Sequence, residues 1–378
     1  MRSMTVARGF TRISNGTTIA IATGTMKLQR TLLLPLSFTI ATACLDVDAL
    51  SPDEMLAETD SELSTANWSL TNSAANSLYG AQVATIGGVT YMVHTGLTDK
   101  NMYWRKRVGA LTWSDPVLIP NQKTSDQVSL AAFNGFLYML HVGESDTRAV
   151  WFSRFDPLTE TWTPNTKLTS LETDTGAPAL AAFDGRLWIV GAIETGWSNN
   201  QLWVSTMSPG EVFSGPVSLT RKLTTTRVSL AVFANKLYMA YGQGTSVTTM
   251  THAAGAALNL WSAPRQVKAG PSNTTSQGWD PKLAVAGGYL HLVHTRPYYY
   301  GTATYWTYFD QCNWAPEVQF DGIGTDHAPS LTDGAAGLVL TREGYWVIDG
   351  LDTPSYHVLV TEYAAPPPPI TVPQCGYL

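Results

Sequence analysis

The sequence is poor in charged residues and in cysteine. Only 14% of its 378 residues are charged, against about a quarter in a typical soluble domain, and it contains three cysteines. No long segment has helical periodicity, and no P-loop, GxSxG or HExxH motif occurs. The net charge of −6, which becomes more negative without the basic first 44 residues, argues against binding to nucleic acid. Glycine and tryptophan are abundant instead, with 31 and 13 residues.

The segment SLAAFNGFLYML, which begins at Ser129, predicts a β-hairpin, and close copies of it begin at Ala179 and Ser229. The pair Asn134-Gly135 separates two short runs of apolar and aromatic residues. Asn-Gly accepts positive φ at both central positions of a type I′ turn, whose twist matches that of the strands it joins. The flanking residues suit a largely buried, pleated surface. The chain therefore repeats one hairpin.

The hairpin recurs through most of the chain. Its apolar anchor positions lie 47 to 53 residues apart and are Val83, Leu130, Leu180, Leu230, Leu283 and Leu331. Each of the first five copies continues with a third strand and then with a fourth strand that opens near an aromatic residue; these residues are Trp113, Trp162, Phe213, Trp261 and Trp314. Four short strands in about 50 residues is the period of a β-propeller blade, which is stable only when stacked on its neighbours.

The predicted fold is an all-β propeller, and the six anchors favour six blades of four antiparallel strands. The segment NWSLT at Asn67 looks like a fourth strand with nothing before it. We therefore expect an N-terminal outer strand around Trp68 to complete the last blade and close the ring. The copy at Leu331 aligns poorly with the others, so five or seven blades also fit the sequence.

Residues 26–43 have the features of a secretory signal peptide: a basic start, a mainly apolar run too short to span a bilayer, and small residues before Cys44. They resemble a bacterial lipoprotein signal, and the resemblance implies that Cys44 becomes a lipidated N-terminus. Residues 1–25 are then interpreted as a wrongly assigned start. Residues 44–66 are acidic and lack aromatics, which predicts a flexible tether before a propeller that spans residues 67–363.

The remaining cysteines are expected to pair, as cysteines of exported proteins usually do. With Cys44 at the cleavage site, Cys312 and Cys375 are left. A disulfide between them would tie the Pro-rich tail, residues 364–378, to the fifth blade. Two free, buried thiols are the alternative.

One face of a propeller gathers the loops between second and third strands and the loops that lead into the next blade. On that face, the starts of the inner strands carry charged and aromatic side chains: Asp126, Asp174, Arg227, Trp279, Asp280, Asp326 and His327. Their positions in the repeat predict a ring around the mouth of the central channel. Such a group could supply the acid and base of a glycosidase, could ligate Ca²⁺, or could consist of solvated loop residues.

The same face is predicted to carry exposed aromatic residues, which are Trp197, Tyr298, Tyr299 and Tyr300. Successive side chains of an extended segment point in opposite directions, so the three tyrosines cannot all be buried in one core. An exposed ring beside amide and charged groups suits a sugar, because the ring covers the C–H side and the polar groups bind the hydroxyls. Rings folded over the backbone of their own loop are the alternative.

Three histidines share one position in the repeat, eleven residues after the anchor: His94, His141 and His294. A shared zinc ion is excluded, because equivalent strands of adjacent blades lie about 10 Å or more apart, far beyond a zinc–nitrogen bond of about 2.1 Å. We expect each histidine to cap its strand or to offer one hydrogen-bonding group to a pocket between blades.

The repeat, of the form PALAxFNGxLYMAW…LWYSxFD…W, resembles the propeller repeats of exported bacterial proteins that are lectin-like or sialidase-like. The resemblance covers residues 67–362 and implies a glycan-binding protein, a glycoside hydrolase of the sialidase type, or a scaffold for protein partners. Sialidase-like enzymes need three arginines that converge on a carboxylate, whereas only Arg227 lies at the start of an inner strand. That count favours binding over catalysis.

The sequence thus predicts an exported carbohydrate-binding protein, either secreted or anchored to the bacterial cell envelope. The anchor would be its only contact with a membrane, and a monomer is expected. No catalytic residue, metal ligand or cofactor is assigned, with Ca²⁺ at the channel mouth as the alternative named above.

Overall fold

The computed structural model describes residues 68–109, 112–194, 200–224, 226–243, 246–267, 279–298, 301–320, 329–334, 337–344 and 357–363. All of them belong to one unit, Asp53–Leu378, and every element among them is a β-strand. They include no helix that is long and apolar enough to cross a membrane. The predicted signal peptide, lipidation site, tether and C-terminal tail lie outside the described residues.

The first three sheets are antiparallel, and their strands follow one another along the chain. Sheet 1 contains β2 (Ala81–Ile86), β3 (Val89–Thr95), β4 (Asn101–Lys106) and β5 (Val117–Lys123). Sheet 2 contains β6 (Ser129–Phe133), β7 (Phe136–Val142), β8 (Ala149–Asp156), β9 (Thr161–Trp162) and β10 (Thr166–Glu172). Sheet 3 contains β11 (Ala179–Phe183), β12 (Arg186–Glu194), β13 (Asn200–Met207) and β14 (Val217–Thr224).

The remaining three sheets repeat this arrangement. Sheet 4 contains β15 (Val228–Phe233), β16 (Lys236–Gln243), β17 (Ser246–Ala253) and β18 (Arg265–Gln266). Sheet 5 contains β19 (Trp279–Ala286), β20 (Tyr289–Tyr298), β21 (Gly301–Phe309) and β22 (Val318–Gln319). Sheet 6 combines β1 (Trp68–Asn76) with β23 (Ser330–Gly334), β24 (Gly337–Gly344) and β25 (His357–Tyr363).

The predicted architecture, an all-β propeller of antiparallel four-stranded sheets, is confirmed. The described strands form five sheets of four strands, while sheet 2 has a fifth strand because β9 pairs with β8 beside β10. The fourth strand of sheet 2 is divided into two pieces, because β9 and β10 both pair with β8.

The first hairpin of a sheet uses the left-handed turn that the sequence predicts. Asn134 has a φ of 48° and Gly135 a φ of 81°. Both values lie in the region that a type I′ turn requires at its two central positions. Four other first hairpins have positive φ at the same two positions, which are Gly87-Gly88, Asp184-Gly185, Ala234-Asn235 and Gly287-Gly288.

The six inner strands form a closed ring. Contacts run from β2 to β6, β11, β15, β19 and β23, and β23 contacts β2 again. Serine hydroxyls link neighbours in the ring: Ser330 Oγ accepts a hydrogen bond from Val83 N at 3.1 Å, and Ser229 Oγ accepts one from Leu283 N at 2.9 Å. Because the ring is closed, no inner strand presents an open edge.

The closing strand is the N-terminal one, as predicted. Strand β1 pairs antiparallel with β25, with Trp68 opposite Tyr363 and Leu70 opposite Thr361. The pairing continues to Asn72 and then shifts register before Asn76. Residues from opposite ends of the propeller sequence thus share one sheet.

The fourth strands begin later than the sequence suggested. Three of the aromatic residues expected to open them, Trp113, Phe213 and Trp314, instead form isolated bridges to the end of the third strand, and Trp162 lies in the short strand β9. A proline follows each aromatic residue within three positions, for example Pro116 after Trp113. Proline has no backbone N–H to donate, so it interrupts the ladder, and the outer strand resumes only after it.

The core consists of apolar layers between neighbouring sheets. Phe155 of sheet 2 lies with its ring centroid 5.1 Å from that of Tyr91 and 4.9 Å from that of Trp104, both in sheet 1. Met102 and Leu137 are fully buried in the same cluster. The outer strands are mostly exposed, as in β5, where two of seven residues are buried. Polar side chains of an outer strand can therefore face a groove beside the next sheet.

Candidate functional site

The channel mouth brings together three of the residues predicted there. Arg227 precedes β15 and forms an ion pair with Asp126, which lies in the loop before β6. Arg227 Nη1 also donates a hydrogen bond to Gln127 Oε1 at 2.7 Å, and Arg227 N donates one to Asp280 Oδ1 at 3.3 Å. Sheets 2, 4 and 5 are thus connected through one arginine, which we call the Arg227 network.

Two backbone features allow the Arg227 network to form. Gly176, in the loop before β11 of sheet 3, has a φ of 82°, and a Cβ atom there would lie 2.4 Å from Asp126 Oδ2 and 3.3 Å from Arg227 Nε. A side chain at Gly176 would therefore collide with the ion pair. Asp280 also has a positive φ, 47°, where the pairing of β19 with β20 shifts register. Aspartate tolerates this conformation better than most residues.

Asp174 makes different contacts. Its carboxylate lies 3.1 Å from Arg148 Nε through Oδ1 and accepts a hydrogen bond from Glu194 N at 2.7 Å through Oδ2. The first contact joins the loop before β11 to sheet 2, and the second joins it to the end of β12. The structure therefore uses Asp174 to fix loops.

Several predicted site residues lie outside the described parts of the chain. They are Trp197, Tyr299, Tyr300, Asp326 and His327. For Trp279 and Tyr298 the backbone is described, at the start of β19 and at the end of β20, but the side chain is not. Cys312 is disulfide-bonded. Its predicted partner, Cys375, lies outside the described residues, as does the predicted lipidation site Cys44.

The described carboxylates at the channel mouth already have partners within the protein. A general acid or base must instead reach the reacting oxygen of a substrate. Among the described residues no group of three His, Cys, Asp or Glu side chains is placed to hold a metal ion. The arrangement of Asp126, Asp174 and Asp280 therefore suits closure of the ring better than chemistry on a ligand.

A second candidate lies in the cleft between sheet 1 and sheet 2. This cleft has a volume of about 880 Å³ and is bounded by β4 and β5 on one side and by β7, β8 and the segment after β9 on the other. Trp151 and Trp162 both line it. The Nε1 atom of each indole is buried and has no hydrogen-bond partner among the described residues. Each N–H group is therefore enclosed by the protein, while the half-exposed ring that carries it lines the cleft.

The position of Trp151 depends on Gly143. Trp151 lies opposite His141 in the pairing of β7 with β8. A Cβ atom at Gly143 would lie 2.9 Å from Trp151 Nε1 and 2.9 Å from Asp146 O. The absence of a side chain at Gly143 thus leaves room for the indole N–H at the wall of the cleft.

The hydrogen bonds of His141 fix the orientation of Asn165. Burial lowers the pKa of His141, so the imidazole is neutral and has one N–H. Nδ1 lies 2.9 Å from Val142 O, which can only accept, so Nδ1 carries the proton. Nε2 lies 3.1 Å from Asn165 Oδ1 and must accept a hydrogen bond, so the amide is turned over to place its nitrogen at this position. The amide accordingly donates its NH₂ to His141, and its oxygen remains for a partner in the cleft.

The floor and rim of the cleft are polar. Gln122 is buried, donates to Thr163 O at 3.1 Å and accepts from Ser153 Oγ at 3.1 Å, so it joins the two sheets. It follows Asn121, whose φ of 57° marks an irregularity in the outer strand. At the rim, Asp146 lies 2.9 Å from Lys167, whose ammonium lowers the pKa of that carboxyl.

In sheet 5 the residue equivalent to His141 is His294, and it bonds a carboxylate instead of an amide. His294 donates through Nε2 to Glu317 Oε1 at 2.8 Å, and Glu317 follows Trp314 by three residues, as Asn165 follows Trp162. Arg296 pairs with Glu317 and lies 4.2 Å from the ring centroid of Tyr305. Burial and the charge of Arg296 lower the pKa of His294 to about 3. His141 and His294 thus each bond a side chain of their own sheet, and the groups around them differ.

Sequence reasoning missed most of the cleft residues. The repeat predicts Trp162 near the start of a fourth strand, and no motif points to Trp151, Gln122 or Asn165. Two features of the sequence could have indicated the cleft. One is His141, at a position that recurs in the repeat, and the other is the polar residue Asn165, three residues after Trp162. His141 and Asn165 lie close together because β8 pairs with both β7 and β9.

No protein-family model and no curated protein matches the sequence. Solved structures do match its fold. Trypanosoma rangeli sialidase is 10% identical with a TM-score of 0.54, over 76% of this chain and 55% of that one. Phage phi92 endosialidase is 11% identical with a TM-score of 0.54, over 79% and 69%. AofleA from Arthrobotrys oligospora is 12% identical with a TM-score of 0.50, over 79% and 93%.

These matches establish the architecture. The chain spans about half the length of the Trypanosoma rangeli sialidase, with 55% of that chain covered. At identities of 10 to 12% the similarity shows a shared fold and no shared activity. The chain is a β-propeller.

Proposed function

We propose that this protein binds carbohydrate in the cleft between sheets 1 and 2. The observation that carries the proposal is the pair of half-exposed indole rings, Trp151 and Trp162, that line a cleft of about 880 Å³. That volume lies within the range of roughly 300–1,000 Å³ typical of small-molecule sites. The matching folds of a sialidase and an endosialidase, both named for action on glycans, agree with a sugar ligand.

The groups in the cleft match the two surfaces of a sugar. An indole face covers the C–H side of a pyranose ring. The Asn165 amide oxygen accepts from hydroxyls, and the rim pair Lys167 and Asp146 provides charge-assisted hydrogen bonds. A lectin site needs this combination of ring and polar groups, without an acid and base flanking a glycosidic bond.

Binding is favoured over hydrolysis for a specific reason. The rim carboxylates of the cleft face lysines: Asp146 lies 2.9 Å from Lys167, and Glu144 lies 3.8 Å from Lys123. The described carboxylates of the channel mouth have protein partners as well. A glycosidase needs one carboxyl group that is protonated and a second placed across the glycosidic bond from it.

Replacing Trp151 with Phe should weaken glycan binding about five-fold, because Phe keeps an apolar ring but removes part of the stacking surface. The measurement is isothermal titration of residues 45–378 with the strongest ligand from a glycan array. The control is Trp261→Phe, a half-buried tryptophan of sheet 4 whose Nε1 donates to Leu258 O at 3.0 Å, away from the cleft.

Trp261→Phe should bind like the parent protein. Equal affinity in the Trp151 variant and the parent would move the site away from this cleft. A panel of chromogenic glycosides, run with the same samples, tests the hydrolase alternative, and turnover by the parent that exceeds the buffer blank would contradict a purely binding role.

We further propose that the protein is exported and held at the cell envelope by a lipid on Cys44. The disulfide at Cys312 agrees with an oxidising compartment. Expression of the full chain in a bacterium with lipoprotein processing should place the protein in the membrane fraction, and Cys44→Ser should release it. Cys312→Ser is the control, because it removes another cysteine and should leave the fractionation unchanged. A Cys44 variant that stays with the membranes would refute the anchor.

A further inference from the structure

The central channel narrows to a cavity of about 60 Å³ between the six inner strands. Each strand contributes the residue directly before its anchor to the lining: Gln82, Ser129, Ala179, Ser229, Lys282 and Ser330. Among the described residues that line the cavity, Lys282 is the only charged one. A charge placed among inner strands needs a partner of opposite charge.

The nearest acidic residues are engaged elsewhere. Asp126 pairs with Arg227, and Asp280 accepts a hydrogen bond from Arg227 N. Within the described residues Lys282 forms no ion pair. Burial lowers the pKa of Lys282 to about 8, the charge of Arg227 acts in the same direction, and Asp280 and Asp126 oppose it. Its ammonium is therefore still charged at pH 7.

Three other polar side chains in the lining have a hydrogen atom to donate, while the fourth, Ser129, donates to Ala177 O. Gln82 is 5% exposed, and its Nε2 atom has no hydrogen-bond partner among the described residues. Ser229 Oγ and Ser330 Oγ each accept from a backbone N–H of the next inner strand, so each hydroxyl retains a hydrogen to donate. An ammonium, an amide NH₂ and two hydroxyl groups thus border one small cavity.

We propose that the channel binds one small monovalent anion of about the size of chloride, held by Lys282 and Gln82. The cavity is too small for a sugar, since small-molecule sites have volumes of roughly 300 Å³ or more. It has room for an ion with a water molecule, whose share of liquid volume is about 30 Å³. The anion provides a negatively charged partner for the Lys282 ammonium. It also accepts a hydrogen bond from Gln82 Nε2. In this way it links β2 and β19, two inner strands that are separated in the ring by β23.

Thermal unfolding at pH 7 in sodium chloride and in sodium gluconate, at equal ionic strength, tests this site. Gluconate is too large for the cavity. The protein of residues 45–378 should melt about 3 °C higher in chloride, because an ion that binds only the folded state stabilises it. In Lys282→Met and in Gln82→Met the difference should fall below about 1 °C. Both variants keep a side chain of similar length, so the strand packing is preserved.

The matched control is Lys236→Met, which removes an exposed lysine at the start of β16. It should keep the full chloride effect. Crystals soaked in sodium bromide provide the direct measurement: an anomalous peak beside Lys282 Nζ and Gln82 Nε2 supports the site. Absence of that peak overturns the proposal, as does a chloride effect that survives unchanged in the Lys282 variant.

Discussion

Deletion of residues 68–76 is expected to abolish cooperative thermal unfolding of the propeller. These residues form β1, whose antiparallel partner is β25. Without β1, sheet 6 loses its outer strand, and the edge of β25 loses its hydrogen-bond partners. Val360 of β25 and Val339 of β24 are almost fully buried and pack in one cluster with Val83 of sheet 1. The loss should be on the order of 5 kcal/mol, a large part of the stability of a typical protein.

A circular permutant in which β1 follows β25 keeps the strand but removes its covalent link to β2. It therefore shows whether the deletion acts through the loss of the strand or through the loss of that link. In an antiparallel pair, β1 can follow β25 directly through a short turn. A chain in which residues 68–76 are moved behind Tyr363 with a Gly-containing turn should recover a single unfolding transition. Calorimetry of the parent, the deletion and the permutant makes the comparison. A deletion variant that melts like the parent would show that β1 does not hold the ring closed.

The fold could be predicted because its signals are local and repeated. Asn134-Gly135 specifies a type I′ turn by backbone conformation alone, and the observed φ angles agree with it. The spacing of the anchors then indicates stacked units of one size. Closure of the ring could be predicted because the strand around Trp68 has no partner strand nearby in the sequence. Each inference used a property of a few neighbouring residues or of a regular interval.

The candidate cleft could not be predicted in the same way, because its walls come from different repeats. Gln122 of sheet 1 contacts Ser153 and Thr163 of sheet 2, 31 and 41 residues later. The register shift in the outer strand, near Asn121, decides which of its side chains are buried. No turn or periodicity rule gives the position of such a shift. The orientation of Asn165 depends in turn on which nitrogen of His141 carries the proton.

The arrangement at the channel mouth could be predicted only in part from the sequence. The repeat placed Asp126, Arg227 and Asp280 on one rim, and they do meet there. Their pairing was not predictable, because Arg227 reaches a carboxylate 101 residues away and passes Gly176 of an intervening sheet. The sequence therefore located a cluster of charged residues but could not show that the described members neutralise one another.

Arg227→Met is expected to destabilise the protein by about 2 kcal/mol, because it leaves the Asp126 carboxylate and the Gln127 amide without their partner. Arg227 and Asp126 are partly exposed, with 16% and 23% of their side-chain surface accessible, so the loss should be smaller than for a fully buried pair. Removal of the guanidinium also relieves its repulsion of Lys282, which offsets part of the loss. Urea denaturation monitored by tryptophan fluorescence gives the free energy of unfolding.

Two further variants separate the ion pair from a general effect of losing an arginine. Arg154→Met is the matched control. Arg154 pairs with Glu211, and the two side chains are 31% and 34% exposed. Its replacement should lower the free energy of unfolding by less than about 1 kcal/mol. Adding Asp126→Asn to Arg227→Met removes the unpaired charge, so the double variant should be more stable than the sum of the single losses predicts, by about 1 kcal/mol. Strict additivity, or equal losses in the Arg154 and Arg227 variants, would contradict a structural role for the Arg227 network. In that case its charges would be free to act on a ligand at the mouth of the channel.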